Sequence, residues 1–117
     1  IQIDNIVGWL RERDNLLFRY KILVNIHHKK DFKIMEQIRI NRCIFNNVIV
    51  VSEPSENQDK LKLKDQFIIS PFNEIVSKVQ DILNDYEKYY DTLFSDFELE
   101  EYDTWATDKL NTFIHNM

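Results

Sequence analysis

The sequence predicts an α/β domain in which helices cover a mostly parallel sheet of about four strands in three layers, with further helices at the carboxyl end. Two apolar runs, KILVNI at residues 21–26 and VIVV at residues 48–51, have the composition of strands buried on both faces. Residues 31–45, between them, have helical spacing. Because strand–helix–strand crossovers are almost always right-handed, we expect the two strands to be parallel neighbours.

The amino-terminal elements follow from local patterns. Residues 1–7 alternate like a strand and run into Gly8, the only glycine, and residues 12–20 have helical spacing. Asp31 is the predicted cap of the crossover helix. The Asn46-Asn47 pair replaces glycine at the end of that helix, since asparagine tolerates left-handed backbone.

The second half of the chain begins with a polar loop, residues 53–65. Residues 66–70, QFIIS, are predicted to form a short third parallel strand. Asn73 is the predicted cap of a helix whose apolar stripe continues to Tyr86. A last helix is predicted over residues 98–115, with an acidic first turn that suits the positive end of a helix dipole.

Composition excludes several classes of function. The chain of 117 residues is expected to form one domain, residues 1–117, and its single glycine excludes glycine-rich phosphate loops. The net charge of -5 and the lack of a basic face argue against nucleic-acid binding. No apolar stretch reaches the roughly 20 residues that span a bilayer. We therefore expect no transmembrane segment. The single cysteine, Cys43, fits a reducing compartment, so we expect a cytoplasmic protein.

Polar side chains follow both predicted strands. His27 and His28 end the first run, and Ser52 and Glu53 end the second. Ligands of open α/β sheets bind at the carboxyl ends of the strands, where the start of the helix carrying Glu36 would also lie. The sequence therefore predicts a binding site at this edge.

Each candidate has a structural alternative. Glu36 can accept hydrogen bonds from two neighbouring hydroxyls, as in a ribose, or can be a surface residue that suits the helix dipole. Arg39 can hold a phosphate with its planar fork or form an ion pair with Glu36, three residues earlier. The histidines can donate to a phosphate, act as a base or be solvated. No zinc-type spacing of ligands is present, and we expect no metal.

The strings NIH, ExxRI and VVSE, at residues 25–27, 36–40 and 50–53, carry a resemblance to a known family. With the surrounding pattern, the chain resembles the carboxyl-terminal, nucleotide-sugar-binding domain of GT-B glycosyltransferases. It is most similar to the divergent branch found in bacteria and large DNA viruses. The resemblance runs from Ile6 to about Thr92 and implies a Rossmann-like fold.

The resemblance also implies roles for individual residues. It puts His27 or His28 near the donor phosphates and Glu36 on the donor ribose, with Arg39 and Glu53 lining the donor cleft. The nucleotide-sugar would be a substrate, so no cofactor is implied. The acceptor, a glycan or a protein, would bind a separate amino-terminal domain of the same protein, and the catalytic residues remain unknown. Asn47 and His28 differ from residues common in retaining enzymes, so the stereochemical outcome stays open.

One other function is compatible with the sequence, and a second is not. The chain can be a noncatalytic interaction domain that docks a protein partner through its acidic carboxyl-terminal helices, which include the acidic and aromatic stretch at residues 85–105. A receiver-like signalling domain would need clustered aspartates at a strand end. The strand ends of KILVNIHH and VIVVSE contain none.

Overall fold

The computed structural model describes residues 4, 10–27, 37–56 and 58–117. Two short 3-10 turns, Gln58–Lys60 and Phe72–Glu74, accompany the main elements. In chain order the main elements are α1 (Leu10–Leu17), β1 (Ile22–Asn25), α2 (Gln37–Phe45), β2 (Ile49–Ser52), β3 (Ile68–Ile69), α3 (Ile75–Asn84), α4 (Tyr86–Phe94) and α5 (Leu99–His115).

The sheet is parallel, as predicted. Its three strands have the order β1-β2-β3, and the register of the first pair runs from Ile22 opposite Ile49 to Asn25 opposite Ser52. β3 pairs with the other side of β2. The protein is thus a mixed α/β domain with a small parallel sheet and carboxyl-terminal helices. The fourth strand and the Asp31 cap, predicted at the amino terminus and at the start of α2, lie outside the described residues apart from Asp4.

The central strand β2 is the middle of the core. All four of its residues are buried, and because side chains alternate along a strand, both of its faces must be covered. α2 and α3 both pack against it. α2 presents Ile40, Cys43 and Ile44, which have helical spacing and at most 1% exposure. Burying one such aliphatic side chain stabilises the fold by about 1.5–3 kcal/mol.

The end of α2 confirms the predicted role of the asparagine pair. Asn47 has a φ of 57°, in the left-handed region. The N–H of Val48 donates to the carbonyl of Cys43, and that of Asn47 donates to the carbonyl of Ile44. These two bonds form a Schellman motif, which turns the chain directly into β2.

The prediction of one helix capped by Asn73 and continuing to Tyr86 was wrong in its boundaries. Pro71 is followed by a 3-10 turn in which the N–H of Glu74 donates to the carbonyl of Pro71, so α3 begins after Glu74 and not after Asn73. The helix ends at Asn84, and Asp85 leaves helical geometry with φ −140° and ψ 46°. Adjacent asparagine and aspartate are poor helix formers, so a separate helix, α4, starts at Tyr86.

The last helix, predicted over residues 98–115, is observed as α5. Its first half packs on α2, where the ring of Tyr102 lies 5.1 Å from that of Phe45. Its last turns carry exposed apolar side chains, among them Phe113 at 65% exposure. No helix in the described ranges combines the length and apolar character that crossing a membrane requires.

Candidate functional site

The carboxyl ends of the three strands carry buried polar residues. Asn25 ends β1, Ser52 ends β2, and Ser70 follows β3. Their exposed fractions are 2%, 0% and 4%. The parallel register aligns Asn25 with Ser52, and the N–H of Ser70 donates to the carbonyl of Ser52 at 2.9 Å. The carboxyl edge of the sheet therefore carries buried polar groups on all three strands.

Asn25 is hydrogen-bonded through both ends of its amide. Its Nδ2 donates to the Oγ of Ser52 at 3.0 Å, and Ser52 in turn donates to the carbonyl of Glu53. The Oδ1 of Asn25 accepts from Nη1 of Arg39 at 3.4 Å, a long contact. This chain of contacts joins a fully buried hydroxyl to an arginine whose side chain is exposed at the surface.

Glu53 and His27 connect the two loops that leave the sheet. The backbone of Glu53 extends the ladder by donating to the carbonyl of Asn25. Its carboxylate Oε2 accepts the backbone N–H of His27 at 2.6 Å. Hydrogen bonds with a charged partner are shorter and about twice as strong as neutral ones. Glu53 thus fixes the path of the chain just beyond β1.

The imidazole of His27 is held by the loop after β2. Its Nε2 lies 2.8 Å from the carbonyl oxygen of Pro54 and 3.4 Å from the hydroxyl of Ser55. A carbonyl can only accept, so we assign the proton to Nε2. In the neutral ring, Nδ1 then carries the lone pair.

The structure brings four of the six predicted site residues to one edge. His27, Ser52 and Glu53 are joined directly or through their neighbours, and Arg39 reaches the same group through Asn25. Ser52 has no exposed surface, so its hydroxyl lies inside the protein, where it accepts a hydrogen bond from the amide of Asn25. The ligand contacts assigned to these residues stay predictions. His28 and Glu36 lie outside the described residues.

Sequence reasoning missed three residues of this edge, Asn25, Ser55 and Ser70. Asn25 is the centre of the hydrogen-bond chain, and its signal was a polar residue inside the apolar run KILVNI. Ser55 is buried, its N–H donates to the side chain of Gln58 at 2.9 Å, and its hydroxyl faces His27. A serine in a polar loop carries no comparable signal.

The chemistry available at the edge is that of hydrogen bonding and positive charge. Arg39 is an exposed residue, and its guanidinium is a planar fork suited to phosphate. Over the described ranges, no group of three or more potential metal ligands occurs. The one thiol, Cys43, is buried in the core, and this burial raises its pKa to about 11, so it does not serve as a nucleophile at neutral pH.

Comparison with known proteins finds relatives of unknown role. The chain is 37% identical over 78 residues to uncharacterized protein L140 of Acanthamoeba polyphaga mimivirus, covering 65% of this chain and 26% of the relative. It is 28% identical over 119 residues to uncharacterized protein R358 of the same virus, covering 98% and 42%. For uncharacterized protein L138 the identity is 30% over 83 residues, covering 69% and 9%.

The chain therefore spans less than half the length of each of these relatives. No family model matches the chain, and no solved structure matches it.

Proposed function

We propose that the chain is the nucleotide-sugar-binding domain of a glycosyltransferase. In this proposal it forms most of the carboxyl-terminal half of a GT-B enzyme, with Rossmann-like layering and a fourth strand from the amino-terminal residues. The enzyme transfers a sugar from a nucleotide-activated donor to a glycan or protein acceptor. The free, buried thiol of Cys43 is consistent with the reducing, cytoplasmic setting of the proposal.

The observation that carries the proposal is the convergence of polar groups at the carboxyl edge of a parallel sheet. Arg39, on α2, reaches Asn25 at the end of β1, and His27 is held by Glu53 and Pro54 after β2. These groups come from three segments far apart in sequence. Ligands of open parallel sheets bind at this edge, and an arginine with a nearby imidazole suits a diphosphate.

The proposed roles follow from the chemistry of each group. Arg39 offsets the negative charge that grows on the diphosphate as the bond to the sugar breaks, and His27 or His28 assists as an imidazolium, in which both ring nitrogens carry a hydrogen. Glu36 accepts hydrogen bonds from the two ribose hydroxyls. Glu53 and Ser52 act as positioning residues, because their polar atoms already bind His27 and Asn25. In this proposal, an amino-terminal domain of the same protein binds the acceptor and supplies any catalytic base.

Calorimetric titration with a panel of nucleoside diphosphates tests the proposal. We expect saturable binding of at least one of them, and a higher melting temperature in its presence, because a ligand that binds only the folded state stabilises it. The matching nucleoside without phosphates is the control and should bind more weakly. Absence of both heat and stabilisation across the panel would contradict the proposal.

A second candidate, a domain that docks a protein partner, has one observation in its favour. Leu110, Phe113 and Ile114 near the end of α5 are each more than half exposed and share one helical face. This candidate predicts that nucleoside diphosphates do not bind. It also predicts that Phe113→Ser abolishes association with the partner without changing the melting temperature, whereas the enzyme proposal expects donor binding to survive that substitution.

A further inference from the structure

A small cavity lies between α2, the turn before β3 and the first half of α5. Its apolar floor is formed by Ile40 of α2 together with Leu63 and Phe67 of the turn, all three buried. It has a volume of about 80 Å³. Ligand pockets for drug-sized molecules are about 300–1,000 Å³, so this cavity suits one small group. It shares no lining residue with the polar strand edge.

One wall of the cavity is aromatic. The rings of Tyr102 and Trp105 have centroids 5.5 Å apart and are tilted by 42°. The amide of Asn41 donates to the hydroxyl of Tyr102 at 3.4 Å and connects this wall to α2. Trp105 is half-buried. A flat apolar group can therefore pack against a wall that is already ordered.

The rim of the cavity is positively charged. Lys60 and Lys62 line it, and the Nζ of Lys62 is held 5.6 Å from the centroid of the Trp105 ring. No carboxylate is among the lining residues, and within the described ranges neither lysine forms an ion pair. An anion between Lys60 and Lys62 would meet two ammonium groups.

We propose that this cavity, defined here as the Trp105 cleft, binds a small aromatic carboxylate. The ring of the ligand packs on the apolar floor beside Trp105, and its carboxylate lies between the ammonium groups of Lys60 and Lys62. The cation–π contact of Lys62 holds one of the two charges in position before the ligand arrives. The site is independent of the proposed donor site at the strand edge.

Tryptophan fluorescence provides a local readout of this proposal. The chain contains two tryptophans, so Trp9→Phe leaves Trp105 as the single reporter. We expect benzoate, the probe, to cause a saturable change in Trp105 emission. Benzylamine has the same ring with the opposite charge and should cause none. Increasing salt should weaken benzoate binding, because the ammonium groups at the rim are exposed.

Two lysine variants distinguish benzoate binding in the cleft from nonspecific attraction to surface charge. Lys62→Gln should weaken benzoate binding by roughly fivefold, the effect of losing one partly solvated charge contact. Lys64→Gln is the matched control, since Lys64 is exposed in the same turn but does not line the cavity. The proposal is overturned if benzoate gives no saturable change, if benzylamine binds equally well, or if the two variants behave alike.

Discussion

The carboxylate of Glu53 accepts the backbone N–H of His27 at 2.6 Å and so joins the segments that leave β1 and β2. The two residues are 26 positions apart, and the parallel register of Asn25 opposite Ser52 is what brings them together. Glu53 therefore acts on the candidate site by fixing where His27 lies. The first prediction concerns this contact.

Glu53→Ala should lower the free energy of unfolding by about 1.5–3 kcal/mol, the usual value of a hydrogen bond to a charged group. Glu53→Gln should lower the free energy of unfolding by a smaller amount, because an amide oxygen can still accept a hydrogen bond from the N–H of His27. Glu56→Gln is the matched control, since Glu56 is an exposed acid of the same loop. Urea denaturation measures the free energy of unfolding of the three variants. If all three are equally stable, Glu53 does not have this structural role.

The buried pair of Asn25 and Ser52 gives a second prediction. Ser52→Ala leaves the Nδ2 of Asn25 without its acceptor, and an unsatisfied buried donor costs about 1–3 kcal/mol. Ser77→Ala, at an exposed serine of α3, should change stability by less than about 0.5 kcal/mol.

A double-mutant cycle that combines Ser52→Ala with Asn25→Leu measures the interaction energy between the two side chains. If the two side chains interact as observed, the double variant should be less destabilised than the sum of the single variants, because both polar partners are then removed together. Strict additivity would show that the Asn25–Ser52 contact contributes nothing to stability.

The buried thiol of Cys43 supplies a prediction about pH. Burial raises its pKa from 9.0 to about 11, so the folded state holds its proton more tightly than the unfolded state. The stabilising contribution is complete below pH 9 and is lost as the pH rises through 11. The free energy of unfolding should fall more steeply over this window in the wild type than in Cys43→Ala. Identical slopes would contradict this account, and so would rapid alkylation of the native thiol at pH 7.

The residues proposed to hold the donor give a further prediction. Arg39→Lys keeps the charge but loses the planar fork, so the affinity for a nucleoside diphosphate should fall. Glu36→Gln keeps the shape but not the charge and should cost about 1–3 kcal/mol of donor affinity. Neither change should shift the melting temperature by more than a few degrees, because Arg39 is exposed and an acid near a helix start, as the sequence predicts for Glu36, contributes only about 0.3–1 kcal/mol. Unchanged affinity in Glu36→Gln would remove Glu36 from the site.

The parallel sheet was predictable because its signals are strong and local. The apolar runs around Val24 and Val50 have the length and composition of buried strands, and Asn47 marks the end of α2. The break between α3 and α4 was not predictable from spacing, because apolar residues continue at helical intervals through Tyr86 while the backbone leaves the helix at Asp85.

The candidate site was predictable in its location more than in its contacts. Strand ends identify an edge, and His27 and Glu53 do meet there. Spacing along a chain does not show whether a polar side chain binds its neighbours or a ligand. Asn25, Ser52 and Glu53 bind their neighbours, and that network depends on distances that only the folded structure gives.

Mapping the binding of a nucleoside diphosphate by NMR is the most direct test of the central claim, that the carboxyl edge of the sheet is a donor site. In the isotope-labelled protein we expect the largest amide shifts at His27, Arg39 and Glu53, with little change at Trp105. The shifts should saturate and should be reduced in Arg39→Lys. Shifts confined to α5, or no shifts at millimolar nucleotide, would contradict the claim.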